Sequence, residues 1–146
     1  AIIESHSNID LSPKVKIGHF SQLAYQNLPD KTVWNFIKTR SEYSDAFIRT
    51  ILYQMQFEQN DLQKRITVLS GGERIRLLLS QLFLGQYNIL LLDEPTNFLD
   101  MATKEALAKF IQSYDGTILF VSHDDYFVKQ VATRIIEIKD KALIEV

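Results

Sequence analysis

An α/β fold with a mainly parallel sheet and flanking helices is what this sequence predicts, on three observations. Residues 89–92 and 117–121 are short apolar runs of the kind that form buried strands. Each is followed by a segment whose apolar residues recur at helical spacing. From residue 70 onward the two element types alternate strictly, the pattern of a parallel sheet covered on both faces.

Taken in order, residues 14–20 alternate polar with apolar or small side chains and run into Ser21-Gln22, which reads as a half-buried strand ending in a loop. Between residues 30 and 57 the pattern is helical. Val33, Trp34, Phe36 and Ile37 form one short amphipathic helix after an Asp30/Thr32 start signal, and Phe47, Ile48, Ile51, Leu52 and Met55 form the stripe of a second. Residues 58–65 are mostly polar and separate this block from the remainder of the chain. Ser70-Gly71-Gly72-Glu73 opens a third, Leu-rich helix with Gly85 as its stop. After the strand at 89–92, residues 103–114 are helical by the spacing of Ala106, Leu107, Phe110 and Ile111. A strand at 117–121 and a helix at 126–131 come next, and residues 134–139 with 142–146 read as a hairpin across Asp140-Lys141.

Composition narrows the function classes. The chain has 146 residues, 46% hydrophobic and 23% charged, so it can bury a core of its own; at this size roughly 68–70% of the unfolded surface is buried on folding. It has no cysteine, which excludes disulfides, thiolate metal sites and cysteine nucleophiles and fits a cytoplasmic location. A net charge of −2 argues against the broad positive field of a non-specific nucleic-acid binder. No apolar run approaches the roughly 18–20 residues of a membrane span. The first residues, Ala1-Ile2-Ile3-Glu4-Ser5-His6, have neither an initiator Met nor the order of a secretion signal and read as a cut or processed end.

Three places carry chemistry. Leu69-Ser70-Gly71-Gly72-Glu73 sets two glycines and a hydroxyl at a helix start, where backbone N–H groups and the dipole favour an anion; the plainer alternative is a Ser N-cap on a glycine turn. Ile89-Leu90-Leu91-Leu92-Asp93-Glu94-Pro95 delivers two carboxylates to the C-terminal edge of a buried strand, where open α/β sheets bind ligands, and Pro95 stops the strand. One carboxylate there, Asp93, suits Mg2+ held through water, and the next, Glu94, suits activation of a hydrolytic water; an acidic strand end taken alone is more often a cap or turn. His123, after the strand at 117–121, stands at the equivalent edge, where an imidazole can donate to a γ-phosphate.

Together these residues resemble the ATP-binding cassette family. Residues 69–73 are similar to its signature motif, 89–94 to its Walker B strand with the catalytic glutamate, Asn97-Phe98-Leu99-Asp100 to its D-loop, His123 to its switch histidine and Gln22 to its Q-loop glutamine. The resemblance implies ATP as substrate and Mg2+ as cofactor, with Glu94 and His123 catalytic. It further implies that Gln22, Ser70, Gly71, Gly72, Asp93 and Asp100 bind nucleotide, and that Gln22 and Asp93 hold the metal. The likeness is nearest to the ABC-F branch, whose two-cassette proteins act on the ribosome. The gap from Gln22 to Leu69, 69 − 22 = 47 residues, is compact for the helical subdomain of a transporter, and His123-Asp124-Asp125-Tyr126-Phe127 is similar to the branch's His-Asp-Arg-x-Phe run, departing from it at Asp125. The resemblance therefore implies a single partial nucleotide-binding domain, with a helical subdomain at about 30–68 and an ATPase core at 14–29 and 69–146. A second cassette and the ribosome are the implied partners, in translation or antibiotic resistance; an ATP-binding subunit of a transporter is the alternative, and a non-catalytic interaction module a third reading. No G-x-x-x-x-G-K-[ST] phosphate loop occurs in the 146 residues, so the chain reads as the part of a cassette that follows that loop and is expected to be inactive alone.

Overall fold

The computed structural model describes residues 12–21, 24–139 and 142–145. Its centre is a three-stranded parallel sheet of β1 (Ile17–Phe20), β2 (Ile89–Asp93) and β3 (Thr117–Val121), in the order β1-β2-β3. Ile17 pairs with Ile89 and Ile89 with Thr117, so the strands run in register and end at one edge. β1 is shorter than the sequence suggests because the Asn88 side chain takes its place before residue 17. Asn88 Oδ1 accepts from the Lys16 N–H at 2.8 Å, and its Nδ2 donates to the Lys14 carbonyl at 2.8 Å.

Helix starts follow the caps written in the sequence. α1 (Val33–Lys38) begins after Thr32 and α2 (Asp45–Gln54) after Ser44, each hydroxyl accepting an amide N–H of the first turn. α3 (Gly71–Phe83) begins after Ser70. α4 (Met101–Ser113) starts two residues before the expected point because Asp100 caps it, and α5 (Asp125–Val131) starts after Asp124. β4 (Ile136–Lys139) and β5 (Ala142–Glu145) pair antiparallel as the expected hairpin, whose turn at Asp140-Lys141 lies outside the described residues.

Three expectations need correction. The first is one of means only: α3 does stop before Gly85, ending at Phe83 with Leu84 as cap, but without a left-handed residue, as Leu84 and Gly85 donate to Ser80 and Leu82. The polar stretch 58–65 is not a mere spacer. It forms a 3-10 turn at Asp61–Gln63, followed by another at Ile66–Val68, and buries Leu62 and Ile66. The Val33 N–H bonds the Lys64 carbonyl and the Ile66 N–H the Lys31 carbonyl, so this stretch is stitched to the start of α1.

The third correction concerns the sheet. Gly18, Phe20, Leu90 and Leu92 are buried on one face, with Ile118 and Phe120 beside them, against α3, α4 and α5. Phe83 stacks on Phe110 at 3.5 Å between ring centroids, and Phe120 meets Phe127 edge to face at 5.9 Å. On the other face, among the described residues, Leu119 and Val121 are 60% and 59% exposed and His19 is exposed. A continuous apolar run signals burial on both faces; among the described residues, Ile17, Ile89 and Leu91 of this second face are half-buried while Leu119 and Val121 stay open.

The start of β2 is held to the start of β3 at a point with no spare room. A Cβ on Gly116 would lie 2.6 Å from the Asn88 carbonyl oxygen and 2.5 Å from the Tyr114 ring, and that carbonyl already accepts from the Thr117 N–H at 3.0 Å. Gly116→Ala is expected to destabilise the fold by about 1–3 kcal/mol, as overpacking does. Gly71→Ala, where no atom lies within 4 Å of the added carbon, should melt at the parental temperature or above. Thermal melts by circular dichroism compare the two.

Candidate functional site

β2 and β3 end side by side, and the loops leaving them assemble a site. Leu90 and Leu92 anchor β2 in the core, so Asp93 emerges exposed at its last position, paired in register with Val121. The Glu94 N–H continues the ladder one residue further, donating to the Val121 carbonyl at 2.9 Å. Glu94 then turns the chain with φ 48°, a left-handed conformation disfavoured for a residue with a Cβ. Non-glycine residues held this way cost on the order of 1–3 kcal/mol and concentrate at functional sites.

That turn places the Glu94 side chain against the loop after β3. Glu94 Oε2 accepts from the His123 backbone N–H at 3.3 Å, and the imidazole Nε2 lies 3.3 Å from Oε1. The latter approach lacks hydrogen-bond geometry, so Oε1 is buried without a partner among the described residues, and the contact becomes an ion pair only with a protonated ring. The two side chains face opposite environments: Glu94 is 14% exposed and His123 95%. A buried carboxylate oxygen with no donor, beside an imidazole open to solvent, is a site built to receive a polar group.

The two loops are tied behind this pair. The Thr96 and Ser122 hydroxyls are 3.2 Å apart, with Thr96 buried. Ser122 Oγ also accepts from the Asp124 N–H at 3.1 Å. Asp124 in turn caps α5 through the Phe127 N–H and receives Lys104 Nζ from α4 at 2.6 Å. The Lys104 ammonium, first among its partners, holds the Asp124 carboxyl below the ordinary Asp value.

Around Ser70 the cap is complete. Ser70 Oγ accepts the Glu73 N–H at 3.3 Å and donates to Glu73 Oε2 at 2.7 Å, while the Ser70 N–H donates to the same oxygen at 2.7 Å. This capping box holds the Glu73 carboxyl below its usual value. Gly71 and Gly72 follow in helical conformation. Neither has a positive φ, so a side chain there forces no disfavoured backbone and the helix start is sterically open. Its nearest neighbour is the Phe98 carbonyl, 3.6 Å from where a Cβ on Gly72 would stand, which brings α3 to the loop at 97–100.

The structure thus joins Glu94 to His123 and sets Gly72 beside the loop before Asp100. Asp100 itself, though exposed, is already engaged: Oδ1 accepts the Thr103 N–H at 2.8 Å and the Gln56 amide at 3.0 Å. Gln22 lies outside the described residues. Sequence reasoning missed Gln56, Thr96, Ser122 and Lys104. Only Thr96 carried a signal, as a hydroxyl two residues beyond Glu94 in the same turn.

A family profile described as ABC transporter matches residues 3–97. The chain is 43% identical over 134 residues to the erythromycin resistance ATP-binding protein MsrA of Staphylococcus epidermidis, covering 92% of this chain and 27% of that protein. It is 34% identical over 125 residues to ABC transporter F family member 2 of Arabidopsis thaliana, covering 86% and 18%. The chain therefore spans about a quarter or less of the curated relatives it matches. Among solved structures, the dimeric ATP-binding cassette MJ0796 bound to ADP and Pi superposes with a TM-score of 0.70 at 26% identity, over 90% of this chain and 62% of that one. The archaeal ribosome recycling factor aABCE1, solved with ribosomal stalk protein aP1, gives 0.74 at 22% identity, over 93% and 27%, a likeness of fold.

Acid should loosen this site. Asp124 and Glu73 have folded-state values below their ordinary ones, so below the ordinary carboxylate range the unfolded chain binds more protons than the folded one. Stability is expected to be level above about pH 5 and to fall as the pH drops through the ordinary carboxylate values toward the lowered ones. Asp124→Asn should reduce the slope of that decline, measured as melting temperature against pH.

Proposed function

The chain belongs to the ABC transporter family, as an ATP-binding cassette domain of the ABC-F type, and from that premise we propose that it hydrolyses ATP to drive closure of paired cassettes. The observation that carries this reading is the Glu94–His123 pair, with one carboxylate oxygen buried and unbonded at the edge where β2 and β3 end. Glu94 is the base: it accepts a proton from the attacking water as the water oxygen bonds to the γ-phosphorus and the bond to the ADP oxygen breaks, leaving ADP and inorganic phosphate. His123, exposed and tethered through its own N–H, donates to a γ-phosphate oxygen and stabilises the charge that builds there.

The residues fit Mg·ATP. Asp93 is exposed at the strand end, the start of α3 is sterically open at Gly71, and Glu94 Oε1 awaits a donor. Bound Mg2+ supplies positive charge at the phosphates. Asp93 would hold it with Gln22, and Ser70, Gly71 and Gly72 would face nucleotide held by a second cassette. Asp100, in the D-loop position, belongs to the same nucleotide-facing group in this reading. The helical subdomain at about 30–68 and an ATPase core at 14–29 and 69–146 divide the domain. Work on the ribosome in the cytoplasm, in translation or antibiotic resistance, is the proposed setting, supported by the F-type relatives and by MsrA. Lacking a phosphate loop in its sequence, the 146-residue chain is proposed to turn over no ATP alone. No helix among the described residues is long and apolar enough to cross a membrane.

In the intact ATPase, Glu94→Gln keeps shape and polarity but cannot take up a proton. It should bind ATP normally and lose about 10²–10⁴ in hydrolysis rate, the usual contribution of a general base. Parental turnover in a phosphate-release assay would remove Glu94 from that role.

Gly72→Asp sets a second test. The fold has room for the added side chain, yet its carboxylate would meet phosphate from the partner cassette across a partly desolvated cleft. Hydrolysis and ATP-driven closure should weaken while the melting temperature holds. Unchanged hydrolysis and closure would show the glycine helix start to be only a cap.

A further inference from the structure

α2 ends in a way its sequence does not require. The Met55 N–H bonds the Ile51 carbonyl, the Gln56 N–H the Tyr53 carbonyl and the Phe57 N–H the Leu52 carbonyl, which is the double-bonded helix end that normally puts glycine at its left-handed position. Here that position, with φ 61°, is Gln56. Glycine would fit the backbone better, so the side chain is the feature to explain.

The Gln56 side chain reaches out of the helical block. Its Nε2 donates to Asp100 Oδ1 at 3.0 Å and its Oε1 faces Arg76 Nη1 of α3 at 3.5 Å. Arg76 Nη1 also lies 3.4 Å from Asp100 Oδ2, and its guanidinium sits 5.7 Å over the ring of buried Phe57. Arg76 is 17% exposed and its Nε has no hydrogen-bond partner among the described residues, so the contacts that hold the guanidinium are those to Gln56, Asp100 and Phe57. Asp100 caps α4 with the same oxygen that receives Gln56. Three segments distant in sequence, the end of α2, the middle of α3 and the start of α4, therefore meet at one carboxylate.

We propose that Gln56 and Arg76 are positioning residues: they clasp Asp100 and so set the loop at 97–100, giving the helical block a direct mechanical hold on the part of the site that faces a partner cassette. Displacing α2 pulls Gln56 from Asp100, and the loop between Glu94 and α4 loses its anchor. The consequence for hydrolysis rests on the ATPase reading above; the clasp itself does not.

The test begins with Gln56→Gly, which relieves the left-handed backbone while deleting the amide. Hydrogen exchange on the 146-residue chain should show the Thr103 and Leu99 amides exchanging about tenfold faster, the effect of losing one hydrogen bond, at an unchanged or higher melting temperature. Asp100→Asn keeps a good cap but weakens the hold of Arg76. Combined with Gln56→Gly it should add little further exchange, since both act on one contact. In the intact ATPase, Gln56→Gly should lower kcat several-fold with KM for ATP unchanged. Parental exchange at Thr103 in Gln56→Gly, or fully additive effects in the double variant, would overturn the clasp and leave Gln56 as a helix cap. Accelerated exchange together with no ATP turnover in the intact protein would leave the clasp standing and remove the ATPase reading instead.

Discussion

Everything at the site hangs from the parallel pairing of β2 with β3. β2 has a neighbour on each side, and its side chains at 90 and 92 are locked into the core, so the point where it ends is fixed from three directions. The ladder outlasts the strand by one bond, from the Glu94 N–H to the Val121 carbonyl, and the left-handed turn follows at once. That turn is tolerated because the neighbouring loop holds it from the other side, through the His123 N–H on Glu94 and through the Thr96 and Ser122 hydroxyls. Without the register between these two strands, the carboxylate and the imidazole would belong to unrelated loops.

Acidic side chains do much of the remaining organisation. Asp100 and Asp124 each cap a helix, and Glu73 closes a capping box, placing negative charge at the positive ends of α4, α5 and α3. The two aspartates also meet a second element: Asp100 takes Gln56 and Arg76, and Asp124 takes Lys104. These caps therefore join elements as well as starting them. Lys104 links α4 to the residue after His123, so the orientation of that loop depends on a helix that starts from the loop at 97–100.

Local chemistry was legible in the sequence and long-range contacts were not. Thr32 and Ser70 announced their helices because a cap acts within three residues, and the strand at 89–92 was plain from its unbroken apolar run. Asp93, Glu94 and His123 could be placed at strand ends for the same reason. Periodicity did not reveal that Leu119 and Val121 are exposed among the described residues, since an apolar run looks alike whether one or both faces are covered. Nor could it reveal the meeting of Gln56 with Asp100, 44 positions apart. The left-handed residues Gln56, Glu94 and Phe98 were hidden because none is glycine, the usual sign of such a turn.

The exposed side chains of β3, among the described residues, have a practical meaning for the behaviour of the chain in solution. β3 has a partner on only one side among the described residues, and its outward side chains Leu119 and Val121 are aliphatic and in water. An unpaired strand edge beside such a surface is a template for joining another strand, and no lysine or proline within β3 blunts it. At high concentration the 146-residue chain is therefore inclined to stick to itself along this strand, through backbone pairing that has nothing to do with nucleotide. A charged residue introduced at position 119 would act as a gatekeeper, improving solubility while leaving the buried face, and with it the placement of Glu94 and His123, untouched.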